Sequence, residues 1–146
     1  MFAETGGVGV RADGAAVALY AGGTRTNGST VCNICASVST DPDHMLWTKL
    51  PKVVIPNPSP GGDWRDSTRP FRLPGDASNW WTIVGTSGDF GGTPPAAKAA
   101  LFVNRDGTML HWEPAGTFFE DTRFHMMECP VRAEPGLPVA VNLLVV

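Results

Sequence analysis

Met45-Leu46-Trp47 is a short stretch that returns later in the chain as Met109-Leu110-His111-Trp112, in both places just after a turn that contains Asp. A second stretch, Tyr20-Ala21-Gly22-Gly23-Thr24, returns as Ile83-Val84-Gly85-Thr86. The two copies of each stretch lie 62 to 65 residues apart, and each unit has room for about four strands. A tandem unit of about four strands is typical of the blades of a β-propeller. The repeat therefore predicts a partial propeller of about two four-stranded blades.

Turn residues separate the short apolar stretches of these units. Asp13-Gly14 lies between two apolar runs, which is a strong signal for a β-hairpin. Further strands are predicted over Val31–Val38, Leu46–Ile55, Trp80–Val84, Ala99–Val103, Met109–Trp112 and Gly116–Phe119. Ala96–Ala100 favours a helix by composition but is too short to nucleate one. Short strands at regular spacing with turn signals between them predict an all-β fold.

The composition of the 146-residue chain excludes several classes of protein. Its 17 Gly and 13 Pro residues argue against a helical bundle, and its hydrophobic content of 42% argues against intrinsic disorder. A net charge of −3 with no cluster of Lys and Arg gives no footprint for nucleic acid. No apolar run is long enough to span a membrane, and the first residues lack the pattern of a signal peptide. The localisation stays unknown, because three cysteines do not define a compartment.

Two blades do not close a propeller ring, so some blade faces and edges should stay open. We expect residues 1–136 to form the propeller portion and residues 137–146 to form a strand-like tail that needs a partner. The open blade faces are expected to expose apolar side chains and to favour self-association. The aromatic side chains expected on these faces are those of Trp47, Trp81, Phe102 and Trp112.

The cysteine and histidine pattern does not favour a metal site. Cys32 and Cys35 have the spacing of a metal knuckle, but no second pair follows them. In a strand these two side chains face opposite sides, so we expect packed thiols. His44, His111 and His125 are scattered through predicted loops. The sequence therefore predicts no metal and no cofactor.

Asp66 and Glu128 are the acidic pair that suggests chemistry. They lie 62 residues apart, about one repeat, so we expect the same structural position in consecutive blades. Equivalent positions of a propeller converge on its central channel, and two carboxyl groups there suit glycoside hydrolysis. Met126 and Met127 next to Glu128 disfavour its charged form, whereas Arg65 next to Asp66 favours ionisation. One repeat before Asp66 lies Glu4.

An ordered set of motifs resembles glycoside hydrolase family 32, the family of invertases, inulinases, fructan exohydrolases and fructosyltransferases. The motifs are Leu46–Lys49, Asn57-Pro58, Trp64–Thr68, Trp80–Gly85, Phe102–Asp106 with Trp112, and Met127–Pro130. The resemblance runs from about Gly6 to Pro130 in the order and spacing of the family. Each motif is weak alone, but the ordered set is specific.

The resemblance implies a five-bladed propeller that acts on sucrose or fructans by a retaining mechanism. It implies that Asp66 stabilises the transition state through fructosyl hydroxyls and that Glu128 is the general acid/base. Arg65, Asp66 and Glu128 are then the substrate-binding residues. The sequence leaves open whether such a protein is a hydrolase or a transferase and which linkage it prefers.

The sequence departs from the family pattern at several positions. It contains no Asn-Asp-Pro segment of the kind that carries the family's nucleophile, so we expect the chain alone to be inactive. Ser67 replaces a proline, which would loosen the turn that presents Asp66. Thr5-Gly6 stands where the family often has Trp-Ser-Gly, part of the apolar wall of the sugar site. Two alternatives therefore stay open, a non-catalytic sugar-binding or regulatory homologue and an unrelated β-rich interaction domain.

Overall fold

The computed structural model describes residues 2–26, 29–58, 63–87, 96–124, 126–130 and 144–145. In these ranges every regular element is a β-strand, every pairing is antiparallel, and the all-β prediction is confirmed. The first sheet has four strands in chain order, as the repeat predicts. Its strands are β1 (Phe2–Val10), β2 (Ala16–Thr26), β3 (Ser29–Ser39) and β4 (Trp47–Lys49).

The second sheet contains one short strand more than predicted. Its order is β5-β7-β8-β9, and β6 also pairs with β7 beyond the end of β5. Its strands are β5 (Trp64–Arg65), β6 (Phe71–Leu73), β7 (Asp76–Thr86), β8 (Ala97–Asn104) and β9 (Glu113–Asp121). Ala96–Ala100 therefore enters a strand and not a helix, as expected. The ring size of five blades stays a prediction.

The repeated stretch forms the same turn in both sheets. The indole Nε1 of Trp47 donates to the carbonyl of His44 at 2.9 Å, and the indole Nε1 of Trp112 donates to the carbonyl of Met109 at 2.8 Å. His44 and Met109 both have a left-handed backbone, with φ of 54° and 59°. The structure therefore confirms the repeat. The strand predicted over Met109–Trp112 is wrong, because the left-handed residue turns the chain there.

The main core lies where the two sheets meet. Alternate residues of β2 and β3 point into it, and Trp64 packs edge-on against Phe102 with ring centroids 5.8 Å apart. Phe102 is only 3% exposed and Trp112 only 9%, so the expectation that both lie on an open face is wrong. The second sheet presents both residues to the first sheet, which covers them. Trp47, by contrast, is 39% exposed, as expected, and Trp81 is half-buried.

The last two strands begin a third unit. β10 (Met127–Glu128) packs on the other face of the second sheet and pairs with β11 (Leu144–Val145). A Cβ atom on Gly85 would lie 2.3 Å from the carbonyl oxygen of Met127, so only glycine allows this approach. Of the predicted tail, Leu144 and Val145 are described, and they pair with β10. The predicted boundary at residues 136–137 and His125 fall outside the described residues.

Of two further predictions, the structure confirms one in part and the other in full. The strand predicted over Leu46–Ile55 is observed as the short β4, after which Ile55 bridges Ile34. The Asp13-Gly14 hairpin is confirmed, since the amide of Arg11 donates to the carbonyl of Ala15 across the turn. Within the described ranges no helix is long and apolar enough to cross a membrane.

Candidate active site

The candidate site lies where β5 and β10 end side by side. The first residue of each strand, Trp64 or Met127, is buried, and the second, Arg65 or Glu128, is half-buried. The next residue, Asp66 or Cys129, has a left-handed backbone, with φ of 55° and 44°. The repeat step here is thus 63 residues and not 62. Asp66 corresponds to Cys129, and the prediction that Asp66 and Glu128 share one position is wrong by one residue.

Asp66 is a buried carboxyl group, only 5% exposed. Its Oδ2 accepts a hydrogen bond of 3.0 Å from the backbone N–H of Cys129 and a contact of 3.6 Å from the thiol of the same residue. Bonds to a carboxylate are among the stronger hydrogen bonds in proteins. The chain therefore places Asp66 directly beside the residue that follows Glu128.

Arg65 connects the two strands through its guanidinium group. Its Nη1 lies 3.3 Å from Oε1 of Glu128, and its Nη2 contacts the carboxylate of Asp63. Burial lowers the pKa of Arg65, but the carboxylates of Asp63, Glu4 and Glu128 outweigh burial and raise this pKa. The charged guanidinium is therefore shared among several carboxyl groups.

These contacts correct the expected surroundings of the acidic pair. Sequence proximity suggested that Arg65 acts on Asp66, but the guanidinium contacts that the structure gives are with Asp63 and Glu128. Met127 turns away from Glu128 into the core beside β7 and β8. A strand sends neighbouring side chains to opposite faces, so the apolar neighbours in sequence are not the neighbours in space. Glu128 is 28% exposed and lies beside a cation.

The turn after Asp66 is fixed by Thr68. The amide of Thr68 donates to the carbonyl of Ile83 at 2.8 Å, and the amide of Ile83 donates to Oγ1 of Thr68 at 2.9 Å. The hydroxyl of Thr82 donates to the carbonyl of Thr68 at 3.0 Å. Ser67, expected to loosen this turn, is itself buried. The chain on the far side of Asp66 is thus anchored to β7.

The cysteines near the site are thiols of low reactivity. Burial, followed by the charge of Glu4, raises the pKa of Cys32 to about 11. Burial and the neighbouring carboxylate of Asp66 also raise the pKa of Cys129. A protonated thiol can donate toward Asp66, whereas a thiolate would repel it. Among the described residues no three His, Cys, Asp or Glu side chains form a group that could hold a metal ion.

Sequence reasoning missed two contributors to the site, Asp63 and the backbone of Cys129. Asp63 lies two residues before Arg65, which is the spacing that puts two side chains on one face of a strand. This spacing could have predicted the contact between Asp63 and Arg65. The amide of Cys129 carries no sequence signal, because every residue except proline has one.

Comparisons with known proteins agree with this fold. No model of a known protein family matches the chain. A sucrose:sucrose 1-fructosyltransferase of Festuca arundinacea is 33% identical over an alignment of 120 residues, and the match covers 77% of this chain and 18% of the relative. Among solved structures, the family 32 β-fructofuranosidase of Bombyx mori matches 90% of this chain with a TM-score of 0.68 and 20% identity. A variant of that enzyme in complex with sucrose matches 89% with a TM-score of 0.66.

The antiparallel sheets and their likeness to the solved enzyme define the class of this chain as the β-propeller type. Within that class it is similar to glycoside hydrolase family 32: its sequence resembles that of the fructosyltransferase, and its fold resembles that of the β-fructofuranosidase. It spans about a fifth of the length of the fructosyltransferase and about a quarter of the solved enzyme.

Proposed function

We propose that this chain carries the acid/base and the transition-state stabiliser of a retaining site for sucrose or fructans. The observation that supports the proposal best is the junction of β5 and β10. There Arg65 bridges to Glu128, and Cys129 donates to Asp66, across two strands that are about one repeat apart. A site shared between two blades is the arrangement expected for residues that converge on a propeller channel.

Each residue has a distinct role in the proposed reaction. Glu128 is partly exposed, so its carboxyl group can reach a glycosidic oxygen and protonate it as the bond breaks. Asp66 is buried and fixed by Cys129, which suits a carboxylate that accepts hydrogen bonds from sugar hydroxyls. Arg65 holds the carboxyl group of Glu128 in position.

The proposed mechanism needs a third carboxylate that this sequence does not supply in the family's form. Retention of configuration proceeds through a covalent glycosyl-enzyme intermediate, which requires a nucleophile. No Asn-Asp-Pro segment occurs in the 146 residues. We therefore expect the chain by itself to bind the sugar without cleaving it.

Activity measurements test the catalytic half of the proposal. With sucrose or inulin, the chain alone should release no more fructose than its Glu128→Gln variant. Joined behind a propeller segment that carries a nucleophile, it should become active, and Glu128→Gln should then reduce the rate by about 10²–10⁴-fold, the usual contribution of a general acid. Asp66→Asn should be similarly severe. Glu113→Gln, an exposed residue of β9, is the matched control and should leave the rate unchanged.

A sugar-binding or regulatory homologue without catalysis is the second candidate. The same observation favours it: Arg65, Asp66 and Glu128 are present, whereas the nucleophile motif is missing from the sequence. Isothermal titration with sucrose and fructose separates it from an unrelated interaction domain. Binding that Asp66→Asn abolishes supports the sugar site, and no binding of either sugar by the wild-type chain rejects both candidates.

We also propose that the chain pairs with a second copy of itself through the exposed edge of the first sheet. Met45 and Leu46 are 78% and 63% exposed and lie next to Trp47. The corresponding side of the second sheet is covered by a neighbouring sheet, and large uncovered apolar patches favour association. Sedimentation velocity at micromolar concentration should show a dimer or larger species that Leu46→Ser weakens. Phe118→Ser, an exposed apolar residue on β9 of the second sheet, is the control, and a monodisperse wild-type monomer would reject this proposal.

A further inference from the structure

The pairing of β5 with β7 is interrupted at Asp66. Arg65 pairs with Gly85 of β7, and a later contact joins the amide of Thr68 to the carbonyl of Ile83. Three steps along the chain therefore face two steps along β7, so the chain carries one extra residue and forms a bulge. Bulges redirect side chains and are frequent beside active sites. Asp66 lies in this bulge with a left-handed backbone, which is unfavourable for a residue with a side chain and has to be held by its surroundings.

Two threonine hydroxyls join the chain to β7 on the far side of the bulge. The hydroxyl oxygen of Thr68 accepts a hydrogen bond of 2.9 Å from the amide of Ile83. The hydroxyl of Thr82 donates to the carbonyl of Thr68 at 3.0 Å, and the two hydroxyl oxygens lie 3.2 Å apart. Thr68 is 7% exposed and Thr82 is 0% exposed. Because a buried amide without an acceptor is unfavourable, the hydroxyl of Thr68 fixes the chain two residues after Asp66.

Two further elements contact the same segment. A Cβ atom on Gly7 of β1 would lie 2.2 Å from the backbone nitrogen of Arg69 and 2.8 Å from the carbonyl carbon of Thr68, so β1 packs directly on this backbone. On the near side of the bulge, Asp66 accepts the amide of Cys129 at 3.0 Å. The bulge is therefore held by β7, by β1 and by the residue that follows β10.

Resting on the proposed function, we infer that Thr68 and Thr82 are positioning residues of the sugar site, whose hydroxyls hold the bulge that directs the carboxylate of Asp66 to the amide of Cys129. They act through Asp66 and not on the sugar itself. A carboxylate that is already in place does not have to be ordered when a ligand binds, so less free energy of binding is lost.

Variants that differ by one hydroxyl test this inference. Thr68→Val keeps the shape of the side chain and removes the acceptor of the Ile83 amide, whereas Thr68→Ser keeps the hydroxyl. Ser39→Ala is the matched control, because the buried hydroxyl of Ser39 accepts the amide of Ala16 at 2.8 Å within the first sheet. Urea unfolding should show similar losses of stability for Thr68→Val and Ser39→Ala, so stability alone does not distinguish them.

The amide proton of Cys129 reports the position of Asp66 without any sugar. In the wild-type chain its NMR resonance should show the downfield shift of a hydrogen bond to a carboxylate, and Asp66→Ala gives the reference position with that bond lost. Thr68→Val should move the resonance toward this reference, whereas Thr68→Ser and Ser39→Ala should leave it in place. Thr82→Val removes the donor to the Thr68 carbonyl and should move it by less. Where Thr68→Val does not fold, the Thr82→Val resonance decides alone.

Fructose binding then relates this position to the proposed function. Thr68→Val should weaken fructose binding by about tenfold, the loss expected when a hydrogen bond to a charged group is displaced, and Thr68→Ser should restore it. Ser39→Ala should leave the affinity unchanged.

The outcomes separate this inference from the proposed function. A Cys129 resonance that stays in place in the valine variants rejects the positioning role, even where Asp66→Asn abolishes fructose binding and the proposed site stands. A moved resonance with unchanged fructose affinity also rejects it. If the wild-type chain binds no fructose, the proposed function fails, and a moved resonance would still show that the two threonines position Asp66.

Discussion

The Asp-containing turn of the first sheet and its copy in the second sheet have the same internal geometry and opposite surroundings. In both, a Trp indole donates to the carbonyl of a left-handed residue three positions earlier. In both, an Asp side chain accepts amides of the turn, Asp41 in the first and Asp106 in the second. Yet Trp112 is 9% exposed and Trp47 is 39% exposed.

The difference shows that the repeat encodes the turn but not its burial. The side of the second sheet that carries Trp112 is covered by the first sheet. On the side of the first sheet that carries Trp47, this residue is 39% exposed and its neighbours Met45 and Leu46 are 78% and 63% exposed. Burial is thus a property of the neighbouring sheet and not of the repeated stretch. Three measurements test whether the neighbouring sheet sets the burial of the repeated turn.

Truncation of the two Trp residues should give the largest difference in the free energy of unfolding. Trp112→Ala should lower the free energy of unfolding by about 3–5 kcal/mol, the usual cost of removing a buried aromatic side chain. Trp47→Ala removes the same indole hydrogen bond, which contributes about 1 kcal/mol, but less buried surface, so its loss should be smaller. Urea unfolding followed by circular dichroism measures both. Equal losses would mean that Trp47 is covered in solution, for example by a second copy of the chain.

A smaller loss of stability is expected from substitution of two glycines. One glycine packs against a neighbouring strand, and the other lies in a turn with a left-handed backbone. Gly85→Ala should destabilise the protein by about 2–3 kcal/mol, because its Cβ would overlap the carbonyl oxygen of Met127 and force β10 to move. Gly107→Ala, in the turn after Asp106, meets no atom within 4 Å and costs only its left-handed backbone, about 1–2 kcal/mol. Thermal unfolding compares the two variants. A Gly107→Ala variant that is the less stable of the pair would contradict the packing of β10 on β7.

The smallest effect is the pH dependence of the two turns. Partial burial raises the pKa of Asp106, but hydrogen bonds from His111, Thr108 and Asn104 outweigh burial and hold this pKa well below its usual range. The amides of Leu46 and Met45 lower the pKa of Asp41. A lowered pKa in the folded state stabilises the protein above the unfolded value of about 3.9, and this contribution is lost as the pH falls below it.

Melting temperatures measured between pH 7 and pH 2 check this sign. Asp106→Asn should reduce the acid-induced fall in melting temperature by a few degrees, because the Asn side chain does not titrate. Asp41→Asn should reduce it less, since fewer groups donate to Asp41. An acid-induced fall that is as steep in Asp106→Asn as in the wild-type protein would show that this turn contributes nothing to the pH dependence.

Much of the candidate site was predictable from sequence. The errors concern features that only the three-dimensional structure defines. The motifs around Asp66 and Glu128 single out both residues, and the structure brings their strands together. The contact of Arg65 with Glu128 was not predictable, because the sequence does not show which distant strand lies beside β5. The repeat step was wrong by one residue because structural equivalence depends on backbone conformation. Cys129, and not Glu128, has the left-handed backbone of Asp66.

The elements that depend on local chemistry can be inferred from the sequence alone. The Asp13-Gly14 hairpin, the strand alternation of β2 and β3 and the repeated Asp–Trp turn all follow from residues close together in the chain. The covered faces, the pairing of β11 with β10 and the bridge from Arg65 to Glu128 depend instead on how distant strands pack together. Local hydrogen bonds and backbone conformations are set within a few residues, whereas burial and ion pairs depend on which distant strand lies alongside.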